Sequence, residues 1–372
     1  MLDPRITKLA DVLVNYSCAV KTGDKILIEA IDMPHDFTCE CIRVARQAGA
    51  VPLVKLDSGR TRRAMMLSGS PEGWDVIADA ERLVMERAQC YIGARGSPNV
   101  SELSDVPSDL QRLYESTVWK RVHIDVRVKH TRWVVVRWPS PSMAQLAEMS
   151  TEAFEDFYFN VCTLDYRKMG RAMKPLVERM QRTDQVRLVG PADTNLAFSI
   201  KGLPVIPCDG RQNIPDGEIF TAPVRESVNG VIRYNCPAMY RGETHTDLRL
   251  VFRNGRIVEA TSSNTKKLNE VLDSDEGARY VGEFAIGVNP YCTRAIKDTL
   301  FDEKIAGSIH FTPGASYDEC DNGNKSDVHW DMVMKQTPDV GGGEMTFDGQ
   351  LVRKDGLFVM EDLQALNPEN LK

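Results

Sequence analysis

The stretch from Asp302 to Asp331 holds two of the chain's six histidines, His310 and His329, and the second stands in a His-Trp-Asp triplet. Side chains two apart on a strand point to one face, so His329 and Asp331 can bring an imidazole and a carboxylate to a single point. Along Asp327-Val-His-Trp-Asp-Met-Val-Met, the strand period puts Val328, Trp330, Met332 and Met334 on an apolar face and leaves the histidine and aspartate on the other. The same period on Gly307-Ser-Ile-His-Phe-Thr turns Ile309 and Phe311 inward and His310 outward beside Ser308 and Thr312. If these strands are neighbours, His310, His329 and Asp331 converge as a nitrogen and oxygen set suited to Zn, Co or Mn. Either histidine alone reads as an ordinary hydrogen-bonded or exposed strand residue; the pair with its aspartate makes cation binding an equal alternative.

A metal centre needs further carboxylates. Glu218 in Pro215-Asp-Gly-Glu and Glu283 in Val281-Gly-Glu-Phe-Ala-Ile-Gly each follow a glycine and precede an apolar residue, which suits presentation from a turn at a strand edge. Singly, each is as well read as a solvated carboxylate.

The elements that must position these residues fall into two textures. Residues 25–56 read as strand (from Lys25), helix (Asp36 to Ala48, capped by Asp36) and strand (from Val51), a βαβ unit. The alternation continues through a helix at Trp74 to Arg87, a strand at Cys90, a helix at Asp109 to Arg121 and a strand at Trp133, so the N-terminal part is α/β with a mainly parallel sheet. The first strand-helix turn, Ala30-Ile-Asp-Met-Pro-His, lacks the glycines of a dinucleotide site, and no Gly-x-x-x-x-Gly-Lys-Ser/Thr loop occurs. A polar helical stretch, Ser150 to Arg182, bridges to a β-rich α+β domain of short antiparallel strands. There Arg253-Asn-Gly-Arg signals a hairpin and helices are expected at Asn264 to Ala278 and Arg294 to Phe301. The expected domains are 1–184 and 185–372, the second carrying the metal site.

At 372 residues the chain is long enough for two domains and hence a cleft. A net charge of -7 argues against a polyanionic partner such as nucleic acid. No apolar run approaches the roughly 20 residues that span a bilayer, so membrane insertion is not expected. The N-terminus has no basic and apolar leader pattern, which reads as cytoplasmic. Nine cysteines without a Cys-x-x-Cys pair are neither a zinc knuckle nor a disulfide framework.

Three segments in order resemble the aminopeptidase T and aminopeptidase S family of dinuclear metallo-aminopeptidases. They are Pro215-Asp-Gly-Glu-Ile-Phe-Thr-Ala-Pro, Val281-Gly-Glu-Phe-Ala-Ile-Gly-Val-Asn-Pro, and Phe301-Asp-Glu-Lys through His310 and Tyr317 to Asn324-Lys-Ser-Asp-Val-His-Trp-Asp-Met. The resemblance extends over the whole chain. It implies Glu218, Glu283, His310, His329 and Asp331 as metal ligands, Tyr317 as an active-site tyrosine, and a homodimer. The chain departs from the family in Phe311-Thr-Pro-Gly and in Asp318-Glu-Cys-Asp-Asn-Gly, which affect loop shape and not the ligand set.

That ligand set has three carboxylates, which with a bridging hydroxide balance two divalent ions (Zn, Co, Mn or Mg). Such a pair would activate water against a peptide with a free N-terminus, with Glu218 or Glu283 bridging. Binding of the α-amine would confine cleavage to the first residue. Tyr317 is expected to donate to the oxyanion and Glu303 to serve as acid or base, although an exposed ion pair with Lys304 or a helix-end charge is the other reading of Glu303. The alternatives are a dinuclear amidase or phosphoesterase, or a non-catalytic metal-binding protein. Against phosphate stands the lack of an Arg-rich cradle.

Overall fold

Lys25–Ile31 and Val51–Asp57 pair in parallel around the helix His35–Gln47, as a βαβ unit requires. The architecture comes from a computed structural model that describes residues 2–372. Six of the seven residues of Lys25–Ile31 are buried, because a central parallel strand is covered on both faces. The sheet runs Val51–Asp57, Lys25–Ile31, Cys90–Arg95, Arg132–Arg137, Asn213–Ile214, all parallel. Leu27, Trp74, Met85, Tyr91 and Val122 are buried together in its core.

Asp36 does not cap its helix. Pro34 occupies the cap position without a side-chain hydrogen bond, and Asp36 lies in the first turn, where its charge complements the helix dipole. The helix expected at Asp109 to Arg121 runs on over 108–130, its middle, Glu115–Arg127, wound in wider i→i+5 turns.

The bridging stretch is two helices, Thr151–Cys162 and Tyr166–Arg182. Each has its own cap: Ser150 Oγ accepts from the Ala153 amide at 3.3 Å and Asp165 from that of Lys168 at 2.9 Å. The break between them divides two compact units, residues up to Thr163 with Gly210–Ile214, and Leu164–Asp209 with Pro215–Lys372. By compactness, Tyr166–Arg182 therefore goes with the second unit, where the sequence set the division at 184/185.

The second unit is built on two large antiparallel sheets, beside the two-stranded pair Ala238–Tyr240/Glu243–His245. The eight-stranded one contains the hairpin Arg249–Arg253/Arg256–Thr261, whose turn residues Asn254 and Gly255 take φ of 48° and 83°. Both values are left-handed, as a two-residue hairpin turn of this kind requires. The five-stranded sheet runs Val333–Lys335, Ser308–Pro313, Val281–Gly287, Glu218–Thr221, Ile206–Cys208. Phe198 of the larger sheet meets Phe284 and Phe311 of the smaller at ring separations of 4.9 Å each. Truncating such a buried ring to alanine costs about 3–5 kcal/mol.

Three sequence expectations shorten. The helix expected at Asn264 to Ala278 is α-helical only over Thr265–Leu272, with a separate 3₁₀ turn at Gly277–Arg279. Only Thr299–Asp302 is helical where Arg294 to Phe301 was expected, and the strand expected from Asp327 pairs as a ladder only over Val333–Lys335. His329 makes a single bridge with Gly314. The alternation survives without the ladder, since Val328, Trp330, Met332 and Met334 are all buried. Among the described residues, no helix is long and apolar enough to cross a membrane.

Candidate metal centre

Strand pairing in the five-stranded sheet assembles the site. Glu218 opens one strand opposite Gly287, Glu283 lies opposite Thr312, and Ala285 lies opposite His310. Alternation sends Phe284 and Phe311 to the core face and Glu218, Glu283 and His310 to the other. Glu218 follows Gly217, whose φ of 129° fits the expected turn. Glu283 instead sits inside a central strand, next to a register shift between Val281 and Glu283. A Cβ on Gly282 would stand 2.1 Å from the Ala315 carbonyl oxygen, so the glycine admits the 315 loop that supports His329.

The five residues named from the sequence come together. Glu283 divides its carboxylate between the two histidines: Oε1 lies 3.0 Å from His310 Nε2 and Oε2 lies 3.3 Å from His329 Nε2. His329 Nε2 is also 3.3 Å from Asp331 Oδ1, and His310 Nδ1 is 3.6 Å from Glu218 Oε2. Two overlapping ligand groups result, Glu218 with Glu283 and His310, and Glu283 with His329 and Asp331.

Glu218 Oε2, His310 Nδ1 and His329 Nε2 are buried atoms without hydrogen-bond partners. Buried polar atoms are normally satisfied, so these orphans, two in the first ligand group and one in the second, call for cations. The 3.6 Å between two of them suits ligand atoms that each stand about 2 Å from one ion. Mixed imidazole and carboxylate donors fit Zn, Co or Mn, so the residues present fit a divalent metal.

Electrostatics agree. Burial alone would lower both imidazoles, yet Glu218 and Glu283 push His310 up to about 10, and Asp331 with Glu283 pushes His329 up to about 11. Burial would raise Glu283 and Asp331, but the facing histidines hold both carboxyls below their usual range. The carboxylates demand positive charge, and without a metal they hold protons on the imidazoles.

Supporting contacts were out of reach of sequence reading. Thr312 Oγ1 donates to Asp331 Oδ1 at 2.8 Å, and the Ala315 carbonyl oxygen lies 2.8 Å from His329 Nδ1. Tyr317 is half-exposed, its ring 4.7 Å from that of His329 and 5.7 Å from that of Phe220. Burial first, then the charges of Glu283 and Asp331, raise its phenol, so it stays a proton donor.

The Glu303–Lys304 ion pair exists, at 2.6 Å, but it is not the exposed pair the sequence suggested. Lys304 is 1% exposed and also donates to Glu218 Oε1 at 2.6 Å. Glu303 offers an oxygen in a group with His310 and Asp331. Burial pushes its carboxyl up to about 8 despite the Lys304 charge.

The family model described as thermophilic metalloprotease (M29) matches residues 2–358. Aminopeptidase T of Thermus aquaticus is 36% identical over 164 residues, 40% of this chain and 38% of that protein. Aminopeptidase 2 of Geobacillus stearothermophilus is 31% identical over 163 residues, 39% of this chain and 37% of that protein. The sequence match thus spans a little over a third of either curated relative. Among solved structures, wild-type AmpT from Thermus thermophilus superposes with a TM-score of 0.80 at 22% identity, covering 97% of this chain and 100% of that one. A 2,5-dihydroxypyridine dioxygenase from Pseudomonas putida KT2440 shares the fold at a TM-score of 0.63 and 12% identity, over 96% of this chain and 98% of that one.

Proposed function

The chain belongs to the thermophilic metalloprotease (M29) family, and from that premise we propose that it is an aminopeptidase that releases the N-terminal residue of peptides using two divalent ions. The observation that carries the reading is the division of Glu283 between His310 and His329, by which its carboxylate belongs to both ligand groups and would be shared by two ions. Glu218 and His310 complete one group, and His329 and Asp331 the other.

When bound, such ions supply a water of lowered pKa and polarise the scissile carbonyl. The chain's own residues do the rest. Tyr317, held against His329 and kept protonated, donates to the oxygen on which negative charge develops. Glu303, raised to about 8, accepts and returns protons near neutral pH. Thr312 and the Ala315 carbonyl fix the orientations of Asp331 and His329.

A second reading rests on His310, His329 and Asp331 alone, since two histidines and a carboxylate also suit a single iron used with oxygen. It leaves buried Glu218 without a task. The reading extends to a cytoplasmic homodimer. Free thiols at all nine cysteines fit a reducing compartment. The unpaired edge Val51–Asp57, with Val51, Val54 and Leu56 exposed, offers a face for a second copy. Sedimentation of Leu56→Lys beside the wild type tests that face: a monomeric wild type refutes it.

The activity test uses chelated protein reconstituted with Zn, Co or Mn and given aminoacyl p-nitroanilides, N-acetylated peptides and p-nitrophenyl phosphate. Metal-dependent release only from substrates with a free amine is expected. Cleavage of blocked peptides or of the phosphate ester refutes the aminopeptidase reading, and full activity in Glu218→Gln refutes the need for an ion at Glu218.

A further inference from the structure

The Lys304 ammonium lies where a third cation could sit. Cys208, Asp216 and Glu218 form a group with metal-ligand spacing, and Lys304 Nζ enters it, 2.6 Å from Glu218 Oε1 and 3.7 Å from Asp216 Oδ1. Its third partner is Glu303 Oε1 at 2.6 Å. An ammonium that is 1% exposed has lost its water, so its charge acts at close to full strength on these three carboxylates.

The fold builds this placement deliberately tight. Gly287 stands opposite Glu218, and a Cβ there would meet the Ile305 carbonyl oxygen at 2.4 Å and that of Glu303 at 2.9 Å. Only glycine lets the 303–305 backbone come so close to the strand. The Lys304 carbonyl then accepts from the Asn289 amide at 3.0 Å, and Asn289 Nδ2 donates to the Asp216 carbonyl at 2.8 Å. A Cβ on Gly217 would strike the Asn289 side chain at 2.9 Å, so Gly217, between Asp216 and Glu218, packs directly on Asn289.

We propose that Lys304 is a positioning residue that occupies Glu218 Oε1, leaves only Oε2 for a metal ion, and thereby makes the Glu218 ion the more weakly held of the two. The inference rests on the two-ion reading above. The geometry separates the two ligand groups. Glu218 shares its charge with the ammonium, while no Lys or Arg forms an ion pair with Glu283 or Asp331 among the described residues. A cation on the far oxygen of a ligand repels an incoming ion and weakens the donor. The same ammonium ties Glu303 to Glu218, so the proton-transfer carboxylate and the weaker ion's ligand are held by one side chain.

Stepwise binding of Co2+ to the chelated full-length protein, followed by calorimetry and by the cobalt absorption spectrum, tests this. The wild type should bind in two steps that differ at least tenfold. Lys304→Met should tighten the weaker step tenfold or more while slowing turnover, and Lys304→Arg should restore both toward the wild type. A merely structural lysine would leave the weaker step unchanged or loosen it in Lys304→Met, and either result overturns the proposal. Glu218→Gln supplies an arm that does not depend on Lys304→Met folding: it should remove the weaker step and keep the tighter one, and loss of the tighter step overturns the assignment. A wild type that binds one ion or none refutes the two-ion reading and this inference with it. Two steps without the Lys304→Met effect refute the inference alone.

Discussion

His329 turns its Nδ1 to the carbonyl oxygen of Ala315, 2.8 Å away. A carbonyl only accepts, so Nδ1 carries a proton, and in the neutral ring the Nε2 lone pair is left facing Glu283 and Asp331. His329→Ala and Asp331→Ala should therefore lower bound metal as well as rate, read by elemental analysis of dialysed protein. Unchanged metal content in either variant would refute its role as a ligand.

Metal loading should release protons. Without a metal, the facing carboxylates push His310 up to about 10 and His329 up to about 11, which favours the charged imidazoles at neutral pH, whereas a metal ion needs them neutral. At least two protons per chain should leave on full loading, and apparent affinity should rise with pH across the neutral range. Calorimetry in buffers of different ionisation enthalpy counts them, and a count of zero contradicts the assignment of both imidazoles.

Tyr317→Phe should lower kcat by about 10²–10³, the usual cost of losing one oxyanion donor, with metal content intact. The hydroxyl is the only atom removed and the ring still covers His329. An unaltered kcat would assign Tyr317 to packing.

The first unit should be acid-labile. Burial alone would raise Glu29, but Lys55, the Tyr91 hydroxyl at 2.5 Å and nearby cations bring it from 4.5 to about 2. Its contribution to stability is complete above pH 4.5 and disappears as pH falls through about 2. His123 is lowered by burial from 6.5 to about 4, so the unfolded chain takes up its proton first and stability falls as pH drops from 6.5 to 4. Trp119, stacked on His123 at 4.5 Å, should report the change in urea titrations by fluorescence. His123→Gln should flatten the upper window, and persistence of the full slope there would discount His123.

How much of this was legible in sequence depended on range. The alternation around Trp330 is local, so the shared face of His329 and Asp331 could be read even though the strand ladder there is short. Which strands lie side by side is not local: Glu218 reaches His310 only through the pairing of three strands. Whether the Glu303–Lys304 pair is exposed or buried is not local either, because the burial of Lys304 depends on Gly287 and Asn289, which meet the 303–305 backbone only in the fold. The polar helical stretch Ser150 to Arg182 shows no internal break in its composition, yet it folds as two helices. The caps at Ser150 and Asp165 show that local hydrogen bonding, and not hydropathy, set its ends.

The strand Asn213–Ile214 belongs to the first unit although residues on both sides of it belong to the second. The chain is thus threaded, and a protease cut in the Thr163–Asp165 break does not yield two self-sufficient fragments. The C-terminal fragment keeps the edge strand that closes the other's sheet, so the pieces are complementary halves that must reassociate, and neither is an excisable module.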